Sequence, residues 1–411
     1  MTAPTPPSAH AVGAPSPALP ALVRDYGDPA AEYAALRTGA LLVDRSHRDR
    51  WTLRGAKARE TLTGLVTNDV VSLAAGQGQY AAALTAKGKI VADVRVLAID
   101  GGSAAPPAVD GERTWLDDVA LVVDVPARAA EGWAALLKKF VNPRVARYER
   151  ITDAVRAFGL YGVHARDALA RAFGTPPSAL AQLAPYGHAT LAWGGAALLV
   201  VRVPDLGLDG FEVLVPTEAF DAVWAHVAGA APGIVAGGEM AYAIARVEAG
   251  FPEWGLDIDD GTIPQEANLD DLRAISYTKG CYTGQEVVAR IHFRGHVNRH
   301  LRGLAYPPDG GPIPRGAQLV DETGKVVGDV RTSMLSPRLG GVALGMVRRE
   351  VALGALLTAR WTSVSDDCAD AAASDDAAPG DPPSGEATSA EDAPRARCER
   401  AVTVGTLPFP L

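Results

Sequence analysis

The chain changes texture once, near Gly303, and that change limits what it can fold into. Before it, short strand-like apolar runs alternate with helical stretches; after it, short strands follow one another between Gly/Pro turns. Alternation without a dinucleotide-binding glycine fingerprint points to α+β layers rather than a doubly wound nucleotide fold. A succession of short strands points to a small antiparallel β-barrel. With 411 residues, 48% of them apolar, the chain can build a large core in two or three subdomains. The predicted organisation is a disordered Pro/Ala/Ser-rich tail over 1–22, an α+β domain over 23–302 and a barrel domain over 303–411. A disordered acidic insertion over 365–394 interrupts the barrel.

Within the α+β part, strands are expected at 40–44, 51–55, 150–159, 194–203 and 207–216. Helices are expected at 56–65, 127–140, 165–173, 218–226 and 238–250, the last closed by Gly250. Residues 76–84 and 90–96, joined by a turn over 86–89, read as a hairpin. In the barrel the strand-and-turn segments are 308–316, 318–327, 342–348 and 356–361, with a returning strand over 401–409.

Charge is local. There are 39 basic and 48 acidic residues, net −9, but 365–394 holds nine acids and no Lys or Arg. Taking those nine away leaves 39 acids against 39 bases, so the body is neutral and no stable nucleic-acid binding is expected. No apolar run reaches the ~18 residues of a membrane span. The start lacks a basic segment and a continuous apolar core, so a reducing cytoplasm is the expected location. Three cysteines without a paired spacing argue against a zinc site, a disulfide framework or a cluster ligated within this chain. Cys368 and Cys398 flank the acidic excursion, and a disulfide between them is disfavoured in a reducing compartment.

The third cysteine stands in Lys279-Gly280-Cys281-Tyr282-Thr283-Gly284-Gln285-Glu286. Thr283-x-x-Glu286 reads as a capping box opening a helix from Gln285 to about Ile291. Cys281 then precedes a helix N-terminus, with Lys279 two residues back, and both features favour thiolate over thiol. The competing reading is a structural cysteine in a turn. From Arg290 to Arg302 the even positions carry Arg, His or Asn, which as a strand would gather His292, His296 and His300 with Arg290, Arg294 and Arg302 on one face. Such a face is either a solvated exterior or a cationic wall for an anionic ligand. Histidines two such steps apart, each step ~7 Å, are too far apart to share a metal ion.

The octapeptide resembles the signature of the YgfZ family of folate-binding proteins, relatives of the glycine-cleavage T-protein, and the resemblance runs from about Asp25 to about Arg360. It implies a T-protein-like folate-binding domain with a C-terminal barrel and tetrahydrofolate as cofactor. It further implies a role in assembling or repairing iron–sulfur proteins, including enzymes that modify tRNA, with Cys281 and Lys279 as working residues. The 76–96 hairpin resembles the T-protein's first folate-binding segment. Glu212 matches the T-protein's pterin-binding glutamate, whose carboxylate complements the two donors of a pterin edge; the alternative is a residue on a polar strand face. Arg246 and Glu248 match a motif beside the folate, Arg246 either reaching the ligand's tail carboxylates or lying on a helix surface. Asn68, Asp69 and Tyr80 are cofactor-binding candidates by motif, against simple turn or packing roles. Where T-proteins carry an Asp-Asp pair, this chain has Ala92-Asp93. Aminomethyl transfer needs a group that handles the amine proton, so Asp93 would have to suffice alone. A folate-dependent one-carbon transferase and a non-catalytic docking scaffold are therefore the two alternatives.

Overall fold

The computed structural model describes residues 23–99, 114–363 and 396–410. The tail over 1–22, the insertion over 365–394 and Cys368 lie outside them. The chain divides into two compact units, Met1–His300 and Leu301–Leu411.

In the first unit the early strands are β1 (Ala40–Asp44), β2 (Asp49–Arg54), β3 (Gly78–Leu84), β4 (Ile90–Ala98), β5 (Leu121–Val125) and β6 (Arg147–Arg150). They continue as β7 (Val155–Tyr161), β8 (His188–Trp193), β9 (Ala196–Arg202), β10 (Gly210–Pro216) and β11 (Ile234–Ala236). The helices are α1 (Pro29–Thr38), α2 (Ala58–Thr63), α3 (Ala130–Phe140) and α4 (Ala165–Phe173). After them come α5 (Pro177–Ala181), α6 (Phe220–Ala228), α7 (Glu239–Ala249) and α8 (Gln285–Arg294). Local chemistry starts and stops them: Asp28 accepts a hydrogen bond from Ala31 N at 3.0 Å ahead of Pro29 in α1, and Gly250 ends α7 in the left-handed region.

Two sheets result, ordered β3-β4-β5-β2-β6 and β11-β1-β7-β10-β9-β8. Because side chains alternate along a strand, each sheet has two buried faces. Val94 and Val96 of β4 and Leu121 and Val123 of β5 pack against Leu62 of α2 and Trp133 and Leu137 of α3. Phe211, Val213 and Val215 of β10 pack against Leu169 of α4 and Phe220 and Val223 of α6. The opposite faces meet each other in a third core holding Leu84, Val122, Leu199 and Leu214. The order is helix, sheet, sheet, helix.

Two strand boundaries differ from expectation. The 150–159 stretch is two strands, β6 and β7, parted by a turn in which Ala154 N bonds Ile151 O at 3.0 Å. Gly194 and Gly195, both at positive φ, form the turn between β8 and β9 rather than the start of a strand.

The second unit is a closed barrel of β12 (Arg299–Tyr306), β13 (Gln318–Val320), β14 (Val326–Ser336), β15 (Gly340–Arg348), β16 (Leu356–Ser363) and β17 (Ala396–Gly405). Its strand order is β12-β15-β14-β13-β16-β17, and β17 closes on β12 with Gly303 opposite Gly405. Leu304, Val330, Ala343, Ala359 and Val404 fill the interior. Residues 308–316 form no strand, because Pro308, Pro312 and Pro314 offer no N–H to a ladder. The 318–327 stretch is broken at Asp321, whose Oδ1 accepts from Thr323 N and Lys325 N, each at 3.0 Å. Cys398 is buried in β17; its pairing with Cys368 falls outside the described residues.

Candidate functional site

Strand periodicity places an ionic cluster between the two sheets of the first unit. On β4, Asp93, Arg95 and Leu97 alternate with Val94, Val96 and Ala98, which face the helices. Asp124 on β5, Arg50 on β2 and Glu212 on β10 also lie opposite their helix-facing neighbours, and all five charged residues are buried. Arg45 and Arg48, from the turn between β1 and β2, join them with Asp205 from the loop before β10. Burying so many charged groups is tolerable only because each is hydrogen-bonded and all but Asp93 are ion-paired.

Glu212 sits at the centre, 2% exposed. Its Oε2 accepts from Arg95 Nη1 at 2.9 Å, its Oε1 from the Tyr161 hydroxyl at 2.8 Å, and Arg45 Nε stands 3.8 Å from Oε1. Burial alone would raise its pKa; the guanidiniums of Arg95, Arg45 and Arg48 outweigh it and bring the carboxyl down to about 2. The other arm of Arg95 binds Asp205, which also accepts from the Tyr186 hydroxyl at 2.8 Å. Arg48 binds Asp124, with Arg50 Nε at 3.4 Å from the same carboxylate. The polar-face reading of Glu212 is excluded.

Asp93 is held differently. Its Oδ2 accepts from the Tyr80 hydroxyl at 2.9 Å and its Oδ1 from Trp254 N at 3.3 Å, both neutral donors. Burial pushes it up to about 6, opposed by the more distant charge of Arg48. It lines a small cavity with Arg48, Arg95, Asp205, Tyr242, Arg246, Phe251, Pro252 and Glu253, of which about 10 Å³ is open to a water-sized molecule. That is far below the ~300–1,000 Å³ typical of ligand pockets. Arg246 is buried in α7 and donates to Phe251 O at 2.7 Å and to Asp257, so the helix-surface reading is overturned. Glu248 turns to α1 instead, accepting from the Tyr33 hydroxyl at 2.6 Å and Arg37 Nη2 at 3.1 Å.

The octapeptide is a strap laid across the ends of α2 and the β3–β4 hairpin. Lys279 Nζ donates to Thr63 O, Val66 O and, at 2.9 Å, Asn68 O. An ammonium has three donors, and all three are taken by carbonyls. Burial pulls its pKa down to about 8, partly offset by Asp69. Asn68 Nδ2 donates to Tyr80 O at 3.0 Å and Arg273 O at 2.8 Å, so it ties the loop that receives Lys279 to β3 and to the chain ahead of the strap. Asp69 Oδ1 accepts from Val71 N at 3.1 Å, a turn role. Gly284 has φ +82°, and a Cβ there would lie 2.5 Å from Thr85 O, so only glycine lets the strap approach the hairpin turn. Cys281 is an exposed, free thiol.

The helix after the strap forms, but not by the expected box. Gly284 is its N-cap without a side-chain bond, while Gln285 Oε1 accepts from Tyr282 N at 3.3 Å. The helix runs to Arg294, so the expected strand face over 290–302 does not exist; only residues from Arg299 on are in β12. Gly295 N bonds Ile291 O at 3.1 Å to close α8. His292 stacks on Tyr277 with centroids 3.6 Å apart, whereas His300 lies in the strand.

Asp93, Tyr80 and Arg246 thus come together at the cavity, with Glu212 behind Arg95. Lys279, Asn68 and Tyr80 are linked in sequence by hydrogen bonds, and Glu248 stands elsewhere. Sequence reasoning missed Arg45, Arg48, Arg95, Asp124, Tyr161 and Asp205. A signal for one of them was available: Arg95 interrupts an apolar run two residues after Asp93, which puts both on one strand face. A larger groove of about 610 Å³, on the barrel, is lined by Arg315, Arg360, Arg397 and Trp361 and contains none of the candidate residues.

A reduced folate does not fit Glu212 in the predicted manner. The carboxylate would have to exchange Arg95 and Tyr161 for the pterin edge, inside a cavity too small for one. What the cavity offers a ligand is Asp93, three guanidiniums and the ring of Phe251.

The layered body and closed barrel define a T-protein-like fold. The chain belongs to the GCVT family: residues 25–104 and 110–279 match the GCVT N-terminal domain, and 303–374 match the CAF17 C-terminal β-barrel domain. It is 32% identical over 325 residues to an aminomethyltransferase of a Nostoc species, covering 78% of this chain and 80% of that one. An aminomethyltransferase of Thermosynechococcus vestitus is 30% identical over 327 residues, with 78% and 80% covered. The fold is shared with the glycine cleavage system aminomethyltransferase T of Bartonella henselae, at a TM-score of 0.72 and 21% identity over 95% of this chain and 92% of that one. No helix among the described residues is long and apolar enough to cross a membrane.

Proposed function

We propose that this protein binds a reduced folate and serves the assembly or repair of iron–sulfur proteins, with Cys281 as its working thiol. Membership of the GCVT family supports folate as the ligand, and the resemblance of the octapeptide to the YgfZ signature supports the iron–sulfur role. The observation that carries the reading is the exposure of Cys281 as a free thiol on a strap anchored to backbone through Lys279 and Gln285. A thiol so placed is available as a nucleophile, a transient ligand or a sulfur acceptor. Lys279 acts by holding the strap, since its donors are taken.

The test is a cell lacking this protein, complemented with Cys281→Ala and scored for the activities of its iron–sulfur enzymes. Loss of those activities with normal protein level is expected. Full complementation would instead make the protein a scaffold. Direct titration of the full chain with tetrahydrofolate tests the ligand.

A folate-dependent aminomethyl or one-carbon transferase is the second reading, favoured by Asp93. A buried carboxyl near pKa 6 without an ionic partner can hold or release a proton near neutral pH. Formation of methylene-tetrahydrofolate from an aminomethyl donor, at rates comparable to those of an aminomethyltransferase, would establish it.

A further inference from the structure

The groove on the barrel, about 610 Å³, falls within the ~300–1,000 Å³ typical of ligand pockets. Directly opposed residues of an antiparallel ladder share a face, as do residues two apart on one strand. Arg360 of β16 is opposite Gln318 of β13, Thr362 is opposite Arg397 of β17, and all four line the groove. Leu357 and Ala359 of the same β16 point into the barrel core instead. Arg397 is therefore the diagonal neighbour of Arg360, at the ~7–8 Å that long side chains can span. Arg315, from the proline-rich segment ahead of β13, adds a third guanidinium. None of the described residues lining the groove is acidic. The carboxylates nearest by register are engaged: Glu399 lies 2.7 Å from Arg360, Asp329 lies 2.6 Å from Arg331, and Asp321 accepts from Thr323 N and Lys325 N.

We propose that this groove binds a small phosphorylated organic ligand, a phosphate ester or diphosphate carried on an apolar or planar body. A guanidinium fork meets phosphate oxygens through two parallel N–H···O bonds. Glu399 occupies part of one fork, so the groove keeps a surplus of positive charge that a single carboxylate would not balance and a dianionic phosphate would. The remaining walls include Val320, Val326 and Trp361. Inorganic phosphate would leave them uncovered, whereas the body of an ester removes them from water. Gly316 and Gly324 also line the groove, and nothing lies within 4 Å of where a Cβ on either would stand, so the groove is open there. The site belongs wholly to the second unit and does not depend on the folate reading.

Calorimetric titration of the full-length protein with ADP, inorganic diphosphate and adenosine tests the proposal. ADP should bind saturably, at least about tenfold more tightly than adenosine and about threefold more tightly than inorganic diphosphate. Arg315→Ala and Arg397→Ala should each weaken ADP at least about tenfold. Both side chains are exposed, so Tm should stay within about 2 °C of the parent. Arg397→Lys should still lose about fivefold, because a point charge does not replace the fork. Arg349→Ala, at an exposed arginine outside the groove, should change nothing. Full retention in Arg397→Lys, or a loss in Arg349→Ala equal to that in Arg397→Ala, would reduce the groove to diffuse attraction and overturn the proposal. Adenosine or diphosphate binding as tightly as ADP would overturn it too. So would the absence of saturable ADP binding, whether the groove is then satisfied by the chain's own acids over 365–394 or by solvent alone.

Discussion

The cluster between the sheets and the strap that carries Cys281 are both rich in residues that can do chemistry, and they are held by opposite means. In the cluster, side chain binds side chain: Arg95 spans Glu212 and Asp205, Arg48 takes Asp124, and Arg246 takes Asp257. At the strap, side chains bind backbone: Lys279 on it and Asn68 on the loop that receives it between them satisfy five carbonyls. The first arrangement consumes its charges in holding the fold. The second spends none on Cys281, whose thiol stays open to solutes. Density of charged residues is therefore a poor guide to chemistry in the first unit; the groups left over, Asp93 and Cys281, are better ones.

The contrast is broken most severely at Arg95. Arg95→Leu strands two buried carboxylates and should cost about 3–5 kcal/mol, read as the shift in a urea unfolding midpoint. An effect near zero would mean that the cluster is not holding the sheets together. Acid should attack the same region. Glu212 falls from 4.5 to about 2 on folding, so its stabilisation is complete above pH 4.5 and is lost as pH drops towards 2. Glu212→Gln should flatten that limb of a stability–pH curve. Lys279→Met should cost about 2 kcal/mol, because three carbonyls lose a charged donor at once. Its unfolding should be local, with raised hydrogen exchange at the end of α2 and over 66–68 before any change in the cluster. Smallest of all, Cys281→Ser should change stability by no more than about 0.5 kcal/mol. A larger loss would show the sulfur to be structural.

Much of the layered body could be read from the chain because its strands and helices repeat with different periods. Helix Ala165–Phe173 and the β3–β4 hairpin fall where alternation and turn residues put them. The reading failed at 290–302, where the even-numbered polar positions mimic a strand. The burial of Val288 beneath the strap and the stop at Gly295 make the first part of it a helix. The run Asp44-Arg45-Ser46-His47-Arg48-Asp49-Arg50 gave no sign of its role; it is folded inward because opposite charges wait on β5 and β10.

By itself the amino-acid order determined the α+β body, the barrel that follows it, kinship with T-protein-like folds, and the helix that follows Cys281. These depend on periodicity, on turn residues and on a contiguous motif, all of them local properties of a chain. Only the tertiary structure decided that Glu212 is filled by Arg95, that Lys279 faces carbonyls and that Asp93 is the carboxyl left without an ion. Those outcomes depend on which charges meet across two sheets, and partners 117 and 211 residues apart leave no trace in local sequence.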